Sequence, residues 1–212
     1  TIFNILTGVY HPQEGRIGFE NRSLIGLSPY KINRLGIART FQNIRLFGDL
    51  SVLDNVKIAY QYLGRYSLGK AILRTKTYRR KEEEITSWAK ELLTIFNLQD
   101  KAEETARNLP YGAQRRLEIA RALAGKPKIL LLDEPAAGMN PQETADLLSL
   151  VRKIREEFEL TILLIEHDMS FVMNLCERIV VLDYGQTIAE GVPEKIKNNP
   201  RVIQAYLGGE VS

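Results

Sequence analysis

Two short apolar runs limit the possible folds of this chain more than any other feature. Residues 129–132 and 161–165 have the length of β-strands, and their apolar side chains are consecutive rather than alternating with polar ones. Consecutive apolar strand residues are typical of a parallel sheet that is covered on both faces. A helical pattern that begins at Asn140-Pro141 lies between the two runs, as a crossover between parallel strands requires. The sequence therefore predicts an α/β fold in which both runs are buried strands.

Length and composition indicate one globular domain over residues 1–212. The chain is 44% apolar and 26% charged, and no apolar run approaches the roughly 20 residues that a membrane helix needs. Its net charge is +3. One basic stretch has the charge to face anionic lipid or nucleic acid, but a solvated helix face is the favoured interpretation, and we expect no nucleic-acid partner. The stretch consists of Lys70, Arg74, Lys76, Arg79, Arg80 and Lys81.

A long helical region is predicted between two sheet-forming regions. Residues 52–106 have a helical pattern, and we expect them to form a helical subdomain. Their apolar stripe, which predicts a buried helix face, consists of Ile85, Trp88, Ala89, Leu92, Leu93 and Phe96. Further helices are predicted at residues 1–6 and 29–35 and after Gly112, Pro193 and Pro200. Further strands are predicted at residues 15–20, 179–183 and 187–190.

Polar side chains follow both buried strands at the point where each strand ends. Asp133 and Glu134 come directly after the first strand, and His167 follows the second. The carboxyl ends of strands are where open α/β sheets bind ligands. Neighbouring strand residues point to opposite sides, so one carboxylate can order a hydrated Mg²⁺ while the other activates a water. A strand that simply runs into an acidic loop is the competing interpretation.

A turn of small residues precedes a second amphipathic helix. Tyr111, Gly112, Ala113 and Gln114 form this turn, and the helical pattern continues to Leu123. The N-terminus of a helix offers unpaired N–H groups and about half a positive charge, which together bind phosphate. Taken alone, the turn also fits a plain junction between a loop and a helix.

The order of these features is more specific than any one of them. The Gly112 turn, the two carboxylates and His167 follow one another as do the signature motif, the Walker B motif and the switch histidine of ATP-binding-cassette (ABC) transporters, and the chain resembles their ATP-binding subunit. Upstream, residues 39–43 resemble the Q-loop of that family. Within the family, the motifs and residues 205–208 resemble importers of branched-chain amino acids, with lipopolysaccharide-export ATPases as near relatives.

The resemblance implies a P-loop NTPase fold: a sheet with helices on both faces plus a helical subdomain. It also implies that two subunits enclose two ATP molecules, with Mg²⁺ as the metal. Glu134 would be the general base, and His167 would contact the γ-phosphate. Asp133 would hold Mg²⁺ through water, and Gln42 would link the metal site to the membrane subunit. The implied nucleotide contacts are Gln42, Tyr111, Gly112, Ala113, Gln114 and Thr1.

The implied partners are membrane permease subunits and a second ATP-binding subunit, identical or different. A substrate-binding protein outside the membrane would act indirectly. The implied location is the cytoplasmic face of the cell membrane, as a peripheral subunit.

Two features depart from the family pattern. The turn at Tyr111 lacks the serine and the paired glycines that the signature motif usually presents. No Gly-x-x-x-x-Gly-Lys-Ser/Thr occurs in the chain, and Thr1 is at most the residue just after that motif. We therefore expect the first strands and the P-loop to be absent from this chain, and the chain as given to bind ATP weakly. The alternatives are a regulatory or binding module that no longer hydrolyses ATP, and the ATPase of an exporter or of a nucleic-acid-linked system.

Overall fold

The computed structural model describes residues 1–61 and 76–207 of the chain. These residues belong to two compact units, Thr1–Ile165 and Glu166–Ser212. The expectation of one domain over residues 1–212, with a helical subdomain at residues 52–106, stays a prediction. Outside the described residues lie positions 62–75 of that subdomain, Lys70 and Arg74 of the basic stretch, and Gly208 of the tail.

The first unit combines six helices and five strands among the described residues. In chain order the helices are α1 (Ile2–Leu6), α2 (Pro29–Arg34), α3 (Val52–Gln61), α4 (Lys76–Ile95), α5 (Tyr111–Ala124) and α6 (Pro141–Glu157). The strands are β1 (Gly18–Phe19), β2 (Arg22–Ser23), β3 (Ile37–Arg39), β4 (Ile129–Asp133) and β5 (Thr161–Ile165). Two short 3₁₀ helices span Gln99–Lys101 and Ala106–Asn108.

A parallel sheet in the order β3-β4-β5 forms the centre of this unit. Ile129 of the middle strand pairs with Ile37 on one side and with Thr161 on the other. Helices α1 and α2 pack on one face of the sheet, where Phe3 and Ile32 join a core with Leu131. The predicted buried strand at β4 is confirmed, because its three leucines are buried.

The outer strand β5 differs from the expectation. Its position is as predicted, but Leu163 is 42% exposed and Thr161 is also exposed, so the prediction that this strand is buried is wrong. Among the described residues β5 pairs on one side only, with β4. A consecutive apolar run looks the same in sequence at the centre and at the edge of a sheet, since it carries no information about which neighbours cover it.

Two short strands also differ from the sequence pattern. The strand predicted at residues 15–20 is reduced to Gly18–Phe19, because Glu20 and Asn21 adopt positive φ and turn the chain back to pair with Arg22–Ser23. Positive φ at both central residues is what a two-residue hairpin turn requires. β3 was not predicted, since three residues are too few to show a periodicity.

The helical region agrees with its predicted apolar stripe. Five of the six stripe residues, which lie on α4 and just after its end, are fully buried. The sixth, Trp88, is partly buried, and its indole N–H donates to the Ala124 carbonyl at 3.2 Å. This contact ties α4 to the end of α5. Arg80 of the basic stretch is exposed on α4, and its Nε lies 3.4 Å from Oε1 of Glu84, which is also exposed. This agrees with a solvated helix face.

The second unit contains the antiparallel strands β6 (Ile179–Asp183) and β7 (Gln186–Gly191). Its helices are α7 (Met169–Leu175), α8 (Pro193–Lys197) and α9 (Pro200–Leu207). The strand pair and the two helices after proline were predicted, whereas α7 was not. Asp168 caps α7 by accepting a hydrogen bond from the Phe171 N–H at 3.1 Å. Among the described residues, no helix is both long enough and apolar enough to cross a membrane.

Candidate functional site

The two carboxylates at the end of β4 have different backbone settings. Asp133 is the last residue of the strand, whereas Glu134 has left it with φ at +45°. The Glu134 N–H still donates to the Ile165 carbonyl at 2.8 Å, which holds this turn against the end of β5. A side chain at positive φ is uncommon and clusters at functional sites. The two neighbouring carboxylates are therefore carried by backbone of different conformation.

Asp133 is held by an arginine that lies 94 positions earlier in the chain. Nη2 of Arg39 donates to Oδ2 of Asp133 at 2.8 Å, and both side chains are largely buried, at 10% and 17% exposure. Nη1 of Arg39 donates to Asn4 at 2.7 Å and to Thr7 at 3.2 Å. Arg39 therefore fixes the Asp133 carboxylate relative to α1, a role for which the sequence gives no signal.

Gln42 reaches the other carboxylate. Its Nε2 donates to Oε2 of Glu134 at 2.8 Å, across 92 positions of the chain. Gln42 follows β3 and Glu134 follows β4, so two neighbouring parallel strands bring them to the same edge of the sheet. The structure therefore brings together Gln42, Asp133 and Glu134, which the sequence singled out separately.

The predicted turn at Tyr111 is the first turn of α5 itself. Pro110 is its N-cap residue, and among the described residues no side chain caps this helix. Gly112 and Ala113 are buried, and the Gln114 amide donates to the Leu109 carbonyl at 2.8 Å. The Tyr111 hydroxyl donates to the carbonyl of Ala137, in the loop that follows Glu134, at 3.0 Å.

A buried ion pair on α5 was missed at the level of sequence. Arg115 and Glu118 are fully buried and 2.8 Å apart, and Oε1 of Glu118 accepts the main-chain N–H groups of Phe41 and Arg45. An i,i+3 pair on a helix normally indicates an exposed salt bridge. Burial lowers the pKa of Arg121 on the next turn, and the negative charge of Glu118 partly offsets this effect.

The other two predicted residues, Thr1 and His167, are both exposed. Thr1 is the exposed N-cap residue of α1 and makes no side-chain capping bond among the described residues. His167 belongs to the second unit, where its side chain is 69% exposed and its main-chain N–H donates to Glu166 at 3.1 Å.

The residues at the end of β4 fit the way in which proteins hold Mg²⁺. Within the described ranges, no three His, Cys, Asp or Glu side chains form a metal-binding group. Mg²⁺ is usually held by one or two carboxylates together with waters and substrate phosphates. The Asp133 carboxylate and the Gln42 amide oxygen are hard donors at the same edge of the sheet, which suits that kind of binding.

Comparison with known proteins assigns the family. Residues 1–137 match the ABC transporter family, and residues 186–212 match the branched-chain amino acid ATP-binding cassette transporter family. The chain belongs to the ABC transporter family. It is 46% identical over 98% of its length, and over 82% of the relative, to the high-affinity branched-chain amino acid transport ATP-binding protein BraF of Pseudomonas aeruginosa. It has the same identity and coverage to LivG of Escherichia coli K12, which carries the same description.

Solved structures of the family agree with this assignment. The chain is similar to the ADP conformation of MJ1267, an ATP-binding cassette of an ABC transporter, with a TM-score of 0.81. The two are 30% identical, and the match covers 98% of this chain and 82% of that one. A nucleotide-free cassette gives a TM-score of 0.80 and 33% identity over 99% and 83%. The predicted P-loop NTPase fold and ATPase class are confirmed, and the relatives favour neither of the alternative functions.

Proposed function

We propose that this ABC subunit hydrolyses ATP to drive the uptake of branched-chain amino acids. Support comes from the two relatives that are 46% identical and are described as branched-chain amino acid transport ATP-binding proteins. Its partners would be membrane permease subunits and a second ATP-binding subunit, with a substrate-binding protein acting indirectly. The subunit would then work at the cytoplasmic face of the membrane, as a peripheral protein.

Glu134 is the general base of the proposed reaction, and its contact with Gln42 carries this assignment. The 2.8 Å bond from Gln42 Nε2 holds one oxygen of the carboxylate. The other oxygen then accepts a proton from water as that water attacks the γ-phosphate. Glu134 and the neighbouring Asp133 have different partners, Gln42 and Arg39, which supports separate roles in proton transfer and metal binding.

Asp133 and Gln42 are the residues that would hold Mg²⁺, which would neutralise charge on the phosphates when bound. The Arg39 contact fixes Oδ2 of Asp133, so the carboxylate has one orientation in which it would accept a hydrogen bond from a metal-bound water. Gln42 is fixed in turn by Glu134, because its amide nitrogen is the donor in their bond.

Phosphate contacts are proposed for two further groups. The first turn of α5, with Tyr111, Gly112, Ala113 and Gln114, would meet the γ-phosphate held by a second subunit, since uncapped helix starts attract anions. Thr1 and His167 would contact the nucleotide as the family resemblance implies.

The permease contact is proposed for residues 45–49 and the adjoining helical subdomain. Phe47 is 48% exposed there, and the Arg121 guanidinium lies 5.4 Å from the centre of its ring. Large exposed aromatic side chains of this kind anchor protein interfaces.

Substitution of Glu134 by glutamine tests the proposed function. The subunit, expressed from its complete reading frame, should keep its ATP affinity and lose hydrolysis by about 10²- to 10⁴-fold, because the amide keeps the shape but cannot accept the proton. Calorimetry with Mg-ATP measures binding, and steady-state phosphate release measures turnover.

The matched control is Glu159→Gln. Glu159 is also a glutamate at positive φ, +50°, but it precedes β5 instead of following a strand. Its variant should hydrolyse ATP at the parent rate. Turnover of Glu134→Gln within a few-fold of the parent would contradict the proposed role of Glu134.

A further inference from the structure

The buried guanidinium of Arg115 connects three segments of the site. Its Nη1 donates to the Phe41 carbonyl at 2.7 Å, and its Nη2 donates to the Gln42 carbonyl at 2.9 Å. The same Nη2 donates to the Tyr111 hydroxyl at 3.3 Å, and that hydroxyl donates to the Ala137 carbonyl at 3.0 Å. One chain of hydrogen bonds therefore runs from the Gln42 main chain through α5 to the loop behind Glu134.

The same segments meet at the general base. Gln42 makes both bonds: its side chain donates to Glu134, and its main-chain carbonyl accepts from Arg115. Glu118 holds the flanking N–H groups of Phe41 and Arg45 at 3.3 Å and 3.1 Å. A displacement of the first turn of α5 must therefore move Gln42 or break these bonds.

Stability alone is a poor explanation for this arrangement. A buried ion pair loses its hydration, and exchange of such a pair for well-packed apolar residues is often neutral or stabilising. What an apolar pair cannot supply is the planar fork of the guanidinium, which fixes several acceptors in one geometry. The distinctive contribution of Arg115 is thus the placement of the groups it binds.

We propose that Arg115, acting through Tyr111, is a positioning residue that couples the first turn of α5 to the Gln42–Glu134 pair. When a phosphate contacts the first turn of α5, this coupling fixes Gln42 and with it the carboxylate of Glu134, the proposed general base. This inference rests on the proposed function, since it requires Glu134 to activate the water.

Tyr111→Phe is the mildest test, because it removes the hydroxyl and keeps the ring beside Gly138. Loss of one hydrogen-bond link should lower kcat about fivefold while KM for ATP stays within about twofold. The matched control is Tyr30→Phe on α2. The Tyr30 hydroxyl also accepts from an arginine four positions later, Arg34, at 2.9 Å, far from the end of β4 in sequence. Its kcat should equal that of the parent.

A double variant, Arg115→Met with Glu118→Leu, separates positioning from stability. It removes both buried charges together, so neither is left unpaired. The main-chain groups that the pair holds at Phe41, Gln42 and Arg45 also lose their partners, so the melting temperature should fall by several degrees, and kcat is measured well below it. The fork is lost, however, and kcat should fall about 100-fold with little change in KM, because Gln42 and Glu134 are no longer aligned. Arg115→Lys, with the same Glu118 partner, should rescue kcat only partly, since a lysine lacks the fork.

The outcomes distinguish this inference from the proposed function. A folded double variant that hydrolyses ATP at the parent rate overturns the inference, and so does a Tyr111→Phe kcat equal to that of Tyr30→Phe. If the double variant fails to fold, the comparison of the two tyrosine variants decides. If Glu134→Gln itself retains turnover, the proposed function fails instead.

Discussion

The starts of helices α5 and α6 lie beside each other and are built in opposite ways. At the start of α6 the Asn140 side chain accepts the Glu143 N–H at 2.9 Å, and the Glu143 carboxylate accepts the Asn140 N–H at 3.1 Å. This reciprocal capping box satisfies two donors within the helix. At the start of α5 the N-cap residue is Pro110, and among the described residues no side chain caps it.

The difference separates a structural helix start from one that suits a ligand. The first N–H groups of any helix lack intrahelical partners and need a cap, water or a ligand. In α6 the side chains of Asn140 and Glu143 form the cap. In α5 the N-cap residue supplies no such bond, so the first N–H groups can be paired by water or a ligand. The two starts also touch: a Cβ atom on Gly112 would lie 2.8 Å from Oε1 of Glu143. The Glu143 side chain of α6 therefore leaves no room for a side chain at position 112 of α5.

The largest effect is expected when α5 is given a cap of its own. Pro110 has extended φ and ψ, so an aspartate there can accept N–H groups of the first turn. Pro110→Asp should raise the free energy of unfolding by about 0.5 kcal/mol or more, as a capping residue does. It should also lower kcat/KM for ATP about 100-fold, because the carboxylate takes the donors and repels phosphate.

Denaturant unfolding and steady-state hydrolysis measure these two opposite effects. Pro110→Asn, which caps without a charge, is the control and should lose less activity. If Pro110→Asp stabilises the protein and leaves hydrolysis unchanged, the start of α5 is an ordinary structural helix start.

A smaller effect is expected where the two helix starts meet. Gly112→Ala places a methyl group against the Glu143 carboxylate, which must then leave its capping position. The free energy of unfolding should fall by about 1 kcal/mol, the usual cost of a lost cap.

A double-mutant cycle with Glu143→Ala checks the cause. Once the carboxylate is gone, Gly112→Ala should cost little more, so the two substitutions should be strongly non-additive. Additive losses would mean that the glycine is needed for a reason other than the contact with Glu143.

The smallest effect on activity is expected at the cap of α6. Asn140→Ala removes the N-cap side chain of α6 and should cost about 1 kcal/mol of stability. Since the α6 cap faces no proposed ligand, kcat and KM should stay at parent values, as steady-state assays at a temperature well below unfolding would show. A loss of activity larger than the loss of folded protein would assign α6 a direct part in hydrolysis.

Parts of the site that depend on local pattern could be predicted from the sequence. Asn140-Pro141, with Glu143 in the first turn that follows, indicates a helix start, and the polar residues at the end of β4 indicate a ligand-binding strand end. Gln42 and Glu134 were singled out by family resemblance, and the structure places them 2.8 Å apart.

Other parts could not be predicted because they depend on burial. Arg115 and Glu118 look in sequence like a solvated pair on an amphipathic helix, yet both are fully buried against residues 41–45. Leu163 shows the reverse, because an apolar residue that the pattern marks as core is 42% exposed at the edge of the sheet.

Sequence pattern was enough to predict strands β4 and β5 with the helix between them, the capped start of α6 and the chemical type of each residue at a strand end. These features depend on residues within a few positions of one another, so local propensity and hydrogen bonding decide them. The contacts of Arg39 with Asp133 and of Arg115 with Gln42 depend on the tertiary structure, because these pairs are separated by 94 and 73 positions. Such contacts arise when crossover helices bring distant strand ends to one edge of the sheet, and the packing of the whole unit, rather than any local pattern, sets which charges meet there.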